Sequence, residues 1–296
     1  MREKIINWLL FVGLSFIWGS SFMLMKEGMQ VLSPYEVATI RILSAGLVLL
    51  PFAPKAVRQI PQGKWGLVIL SGLLGSFFPA YLFCLAETKI DSSLAGILNA
   101  LTPLFTIVVG VFFFLLKAGT QKIIGVLIGF AGLLLLFISN GHIDFKNLFY
   151  AAFVLLATLF YGINVNLVGR HLKQVGSLNI ATVAFGVLIV PCLLILYATG
   201  YFHLNIINGK VLWSSTASAI LGIMGTAVAS VLFYMLLKRA GALFASMVTY
   251  GIPFVAVMWG LMLGEKIVPM QVVSLVVILT GVYLANTNKN PFSKKD

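Results

Sequence analysis

Long apolar runs, uninterrupted by Asp, Glu, Lys or Arg, follow one another along the chain at 5–25, 65–86, 92–116, 123–143 and 147–169. They resume at 174–209, 211–237, 240–264 and 267–288. Each is long enough for a helix to cross the hydrocarbon core of a bilayer, which takes roughly 20 residues. A tenth run, 34–53, is apolar except for Glu36 near its start and Arg41 inside it, and without it the next loop would fall on the wrong face. The pattern predicts an all-α integral membrane protein of ten transmembrane helices. A closed β-barrel would need strands of alternating polarity, and these continuous runs show none.

Composition excludes a soluble protein. Charged residues make up 9% of the 296 and apolar residues 60%, with a mean hydropathy of +1.05. Soluble domains carry roughly a quarter charged residues, so there is too little polar surface here to wrap a core against water. The net charge of +12 would suggest nucleic acid in a soluble chain, but these cations lie singly or in pairs between apolar runs. That is orientation chemistry, and no nucleic-acid partner is expected. With the N-terminus inside, fourteen Lys and Arg fall in the cytoplasm and only Lys26, Lys89, Lys146, Lys210 and Lys266 outside. Both termini, including a basic tail at 287–296, are therefore expected in the cytoplasm. The first run is too long for a secretory signal and lacks a small-residue cleavage site. Cys84 and Cys192 stand inside apolar runs without metal-ligand spacing and read as buried thiols.

The chain repeats itself at an offset of about 150 residues. Trp18-Gly19 matches Tyr161-Gly162, Gly72 to Gly75 matches Gly222 to Gly225, Pro103 matches Pro253, and Gly132 matches Gly281. The halves span 8–138 and 148–286, joined by a polar segment at 140–147. Five helices is an odd number, so the second half enters from the opposite side of the membrane: an inverted 5+5 repeat. Such repeats underlie alternating access in many secondary transporters.

At these residues the chain resembles the EamA-like branch of the drug/metabolite transporter superfamily. The resemblance rests on Trp18-Gly19-Ser20-Ser21-Phe22, Pro34 followed by Arg41, and Pro253 followed by Gly264-Glu265-Lys266 and Gly281-Val282. It covers nearly the whole chain. The corresponding turn of the first half, Leu116-Lys117-Ala118, lacks an acid like Glu265. The resemblance implies ten helices, export or exchange of small metabolites such as amino acids, and a bacterial-type inner (plasma) membrane location.

A substrate site is expected where the halves meet. Proline cannot donate to the carbonyl four residues earlier, so Pro103 frees Asn99 and Pro253 frees Thr249, both near the middle of their helices. Backbone breaks at that depth are tolerated only against protein or a water-filled cavity. Asn99, Thr102, Thr106 and Gly110 form one small or polar stripe, and Ser246, Thr249 and Pro253 a looser one. Trp18 and Tyr161 occupy equivalent positions, with Ser21 and Asn164 one turn onward, and suit opposing walls of a pocket for a partly apolar metabolite. Tyr81, Tyr250 and Trp259 are lesser candidates. Arg41, the one cation inside a span, either anchors a substrate carboxylate or bonds helix carbonyls and Glu36.

Other small residues close the bundle. Gly125 and Gly129 on the fifth helix, and Ser218, Gly222, Gly225 and Ala229 on the eighth, serve either packing within the chain or a homodimer contact. No cofactor or metal is implied. No nucleophile, acidic pair, metal cluster or phosphate loop stands at a membrane face, which argues against an enzyme. His142, His171 and His203 lie in loops and Glu265 at a helix end, so a carrier driven by its substrate gradient is expected, with exchange or proton antiport through Glu265 left open. A flippase for a lipid or lipid-linked molecule is the alternative.

Overall fold

The computed structural model describes residues 2–115, 120–139, 145–246, 248–264 and 268–286, and every regular element among them is a helix. They are α1 (Arg2–Gly28), α2 (Pro34–Gln59), α3 (Gln62–Ala86), α4 (Ser92–Phe114) and α5 (Thr120–Ser139). The second series comprises α6 (Phe145–His171), α7 (Ser177–Ala198), α8 (Gly209–Gly241), α9 (Phe244–Met262) and α10 (Pro269–Asn286). Among the described residues, eight helices are long and apolar enough to cross a membrane. Phe112, Leu194, Phe254 and Val276 stand more than half exposed on the outside of the bundle, where water would penalise them and lipid does not. This is a multi-pass membrane protein. Residues 140–144 of the expected linker, the tail 287–296, His142 and Glu265 lie outside the described residues, and 145–147 already belong to α6.

Local chemistry sets where helices start and break. Ser33 caps α2: its Oγ accepts from the Glu36 amide, the Glu36 carboxylate accepts from the Ser33 amide at 2.7 Å, and Pro34 fills the first turn. Glu36 is thus committed to its own helix. Pro103 divides α4 into Ser92–Asn99 and Thr102–Phe114 rather than kinking one continuous rod. The Asn99 carbonyl is not left open as the sequence suggested, because the Thr102 hydroxyl donates to it at 2.7 Å. Pro253 stays inside a continuous α9. Wide π-helical turns interrupt α3 at Leu73–Phe77 and α8 at Leu221–Val228. Gly241, at φ 84°, turns the chain from α8 into α9 in a conformation that other residues adopt only with strain.

Helix contacts come in pairs that exchange α1–α5 with α6–α10. Thus α1 packs on α9 and α6 on α4; α1 on α8 and α6 on α3; α2 on α8 and α7 on α3. The pairs α2–α7, α4–α9 and α5–α10 map onto themselves, and α5 and α10 touch little besides each other. Close glycine contacts obey the same exchange. A Cβ at Gly72 would lie 2.9 Å from Ala184 Cβ, and one at Gly222 would strike the Arg41 backbone. A Cβ at Gly132 would lie 2.9 Å from Ile278, and one at Gly281 2.7 Å from Gly129 Cα. Gly46 and Ile189, near the self-paired crossing of α2 and α7, meet each other. The small faces of α5 and α8 are therefore spent inside the chain: Gly125 and Gly129 receive Gly281, while Ser218, Gly222 and Gly225 receive Gly28, α2 and Ser21.

Candidate functional site

Seven helices, α1, α2, α3, α4, α6, α8 and α9, converge on a central cavity. Its walls enclose about 860 Å³, counting the part open to solvent. Of the residues singled out in the sequence, Trp18, Ser21, Arg41, Asn99, Thr102, Tyr161, Asn164 and Thr249 line it. The helix breaks lie beside it, since Thr102 adjoins Pro103 and Ile252 adjoins Pro253, and both neighbours are lining residues.

The two π-helical turns shape the cavity. Each places a glycine against the polar side chain of a facing helix: Gly75 of α3 against the Asn164 amide of α6, and Gly225 of α8 against Ser21 of α1, where a Cβ would lie 2.7 Å from Oγ. A π turn relaxes the regular backbone ladder, a device frequent at functional sites. Here the Gly225 carbonyl accepts from Trp18 Nε1 at 3.0 Å, which fixes the indole as one wall. Tyr161 also lines the cavity and stacks on Phe83, with centroids 6.1 Å apart. Asn164 donates to the Tyr234 hydroxyl at 3.4 Å, while its buried Oδ1 has no protein partner.

Arg41 is 8% exposed and reaches the cavity from α2. Its Nε donates to Thr226 Oγ1 at 2.7 Å and an Nη1 lies 3.8 Å from Met25 Sδ. Glu36 is not its partner, because that carboxylate closes the cap of α2 one turn and more away. No carboxylate among the described residues pairs with Arg41. The packing exchange places Ala184 opposite in the other half, since Gly72 meets Ala184 as Gly222 meets Arg41. The cavity draws its lining from both halves, and among the described residues its one charged side chain, Arg41, comes from the first.

Three sequence candidates fall outside the lining. The Trp259 indole donates to Ser20 Oγ at 2.9 Å, Tyr81 shares a 2.6 Å hydrogen bond with Thr39, and Tyr250 packs half-buried against the core. In the first two, an amphipathic ring spends its polar atom on a helix-to-helix tie. Conversely, Gly75, Ser76, Thr226, Ser230, Phe233 and Tyr234 line the cavity and escaped notice. The matched glycine pairs in α3 and α8 were the available signal, but small residues in apolar helices read first as packing.

The comparisons with known proteins agree with this architecture. The model of the EamA-like transporter family matches residues 6–138 and again 148–287. The uncharacterized transporter YdfC of Bacillus subtilis is 25% identical over 99% of this chain and 95% of its own length. The uncharacterized inner membrane transporter YedA of Escherichia coli is 27% identical over 94% of this chain and 90% of its own. A chloroplastic WAT1-related protein of Arabidopsis thaliana is 26% identical over 95% of this chain and 69% of its length. A solved crystal structure covering 96% of both chains has a TM-score of 0.63 at 15% identity, a likeness of fold.

Proposed function

Since the chain belongs to the EamA-like transporter family, we propose that it is a secondary transporter that exports small metabolites such as amino acids across a bacterial-type plasma membrane by alternating access. The observation that carries this reading is the central cavity, walled by matched residues of both halves and served by a π turn from each. The proposed frame is ten transmembrane helices in two inverted repeats, 8–138 and 148–286. The double family match, the exchange symmetry of the helix contacts and the reciprocal glycine packing support it. An isologous arrangement of this kind has two equivalent ways to tilt, one for each face of the membrane.

The charge of the loops supports placing both termini in the cytoplasm. At the end of the bundle opposite the N-terminus, Glu27 ties α1 to α8 by accepting from Trp213 Nε1 at 2.7 Å, and Lys26 lies 3.9 Å from Asp91. We read the conformation as closed towards that outer face. Trp18 and Tyr161 hold the apolar part of the substrate, and Arg41, Asn164 and the hydroxyls of Thr102 and Thr249 hold its polar part.

The test is counterflow of labelled amino acids into liposomes carrying the purified protein. Trp18→Ala and Tyr161→Ala should abolish it while both variants still insert and elute as folded protein. Unchanged counterflow in both rejects the cavity as the substrate site. Scrambling of labelled lipid without amino-acid counterflow would point to a flippase instead.

A further inference from the structure

A second cavity lies at the end of the bundle that carries the start of α1, between the ends of α4, α6 and α8. Val165 lines both, so this vestibule abuts the central cavity. Four cations converge on the vestibule, Arg170, Lys173, Lys238 and Arg239, and among the described residues neither cavity is lined by Asp or Glu.

What these cations bond to matters. Arg170 donates to the Phe114 carbonyl and Lys238 to the Val175 carbonyl, contacts that hold the side chains in place without cancelling their charge. Among the described residues, Arg239 is the one of the four with a carboxylate partner, Glu3 at 3.2 Å. The preference of Lys and Arg for one membrane face accounts for their number at this end. It does not account for their gathering around a recess that abuts the cavity lined by Arg41, itself without a carboxylate partner among the described residues. A recess with low-dielectric walls and one sign of charge concentrates ions of the other sign.

Building on the transporter reading, we propose that the ligand of these cavities is a small organic molecule of net negative charge. It collects in the vestibule, and its carboxylate or phosphate is held by the guanidinium of Arg41 while its apolar part lies between Trp18 and Tyr161. A guanidinium fork suits either oxyanion. This narrows the amino-acid class to its anionic members and their acylated or deaminated relatives; a zwitterion of zero net charge gains nothing from the vestibule.

The test uses four probes with one ring and different charges: benzoate, phenyl phosphate, benzamide and benzylamine. Their effect on the melting temperature of the purified protein in neutral detergent is measured first, then their uptake into phosphatidylcholine liposomes. At least one of the two anions should raise the melting temperature, and the amide and amine should not. Lys173→Glu should lower the initial uptake of that anion on the order of tenfold at low salt, with the difference closing at high salt, as long-range steering does. Lys173→Gln should give a smaller loss and controls for folding. No shift with either anion, or an equal shift with benzylamine, overturns the proposal. So does stabilisation by added phosphatidylglycerol but by neither soluble anion, which would make the vestibule a lipid site. Anion-selective binding without uptake refutes the transporter reading and keeps the anion site; uptake that favours benzamide or benzylamine keeps the transporter and refutes the site.

Discussion

Replacing Gly222 by Ala probes the contact that holds α8 against α2, one turn from the bond between Thr226 and Arg41. A Cβ built there would lie 2.9 Å from the Arg41 carbonyl carbon and closer to its oxygen, whereas ordinary contact begins at 3.4 Å. The helices must part by at least half an ångström. Overpacking of this kind costs about 1–3 kcal/mol, against a helix-propensity gain of up to ~1 kcal/mol for Gly to Ala. The same movement lengthens the 2.7 Å bond from Arg41 Nε to Thr226, so both stability and substrate affinity should fall. Thermal melting of the purified protein, with Gly13→Ala and Gly169→Ala as controls, reads the first effect. Nothing lies within 4 Å of a Cβ at either control position.

The kind of obstacle then decides whether a second change rescues. At Gly222 the obstacle includes the Arg41 main chain, so adding Ser44→Ala should restore little although Ser44 Oγ also crowds the site. At Gly225 the nearest atom is the Ser21 hydroxyl, 2.7 Å away, and Ser21→Ala should largely restore Gly225→Ala. If Ser44→Ala rescues Gly222→Ala as fully as Ser21→Ala rescues Gly225→Ala, backbone approach does not set the helix spacing and the reasoning fails.

Other expectations follow from the same contacts. Arg41→Lys should fold but lose affinity, because a lysine ammonium lacks the fork that serves Thr226 and a ligand together; isothermal titration with the transported substrate measures the loss, and unchanged affinity would leave Arg41 a structural residue. Trp259→Phe and Tyr81→Phe should each lower stability by about 0.6 kcal/mol, the usual worth of an interhelical bond in a membrane protein, and leave transport unchanged in counterflow. Ser33→Ala should cost roughly 1 kcal/mol through loss of the α2 cap, visible as a lower melting temperature, and the loss should be smaller when Glu36→Gln is already present.

Much of the cavity lining is legible in the sequence. Trp18 with Tyr161, Ser21 with Asn164 and the two prolines were found by aligning the halves, because residues that recur at matched depths in two helical series meet on their common axis. Arg41 announced itself by its cost, since a lone cation in an apolar run must have a use. Tyr81 and Trp259 fall outside the cavity lining, because residue type alone does not say which way a ring points. These helices are apolar on every side, so their patterning does not separate a lipid face from a protein face. The π turns were hidden for another reason: Gly72 to Gly75 and Gly222 to Gly225 suit a widened turn and a close helix crossing equally well.

The solvent, the helical class and the register between the halves belong to the sequence itself, because a bilayer leaves the backbone few ways to satisfy its hydrogen bonds and the small residues that allow close crossing keep their spacing in the chain. Helix rotation belongs to the tertiary structure alone. That rotation turned Thr226 towards Arg41, left the Asn164 carbonyl oxygen unpartnered in the cavity wall, and drew cations from two helices and the loop between α6 and α7 around one vestibule. Each outcome depends on contacts between residues far apart in sequence, which a periodicity of 3.6 residues along any single helix does not encode.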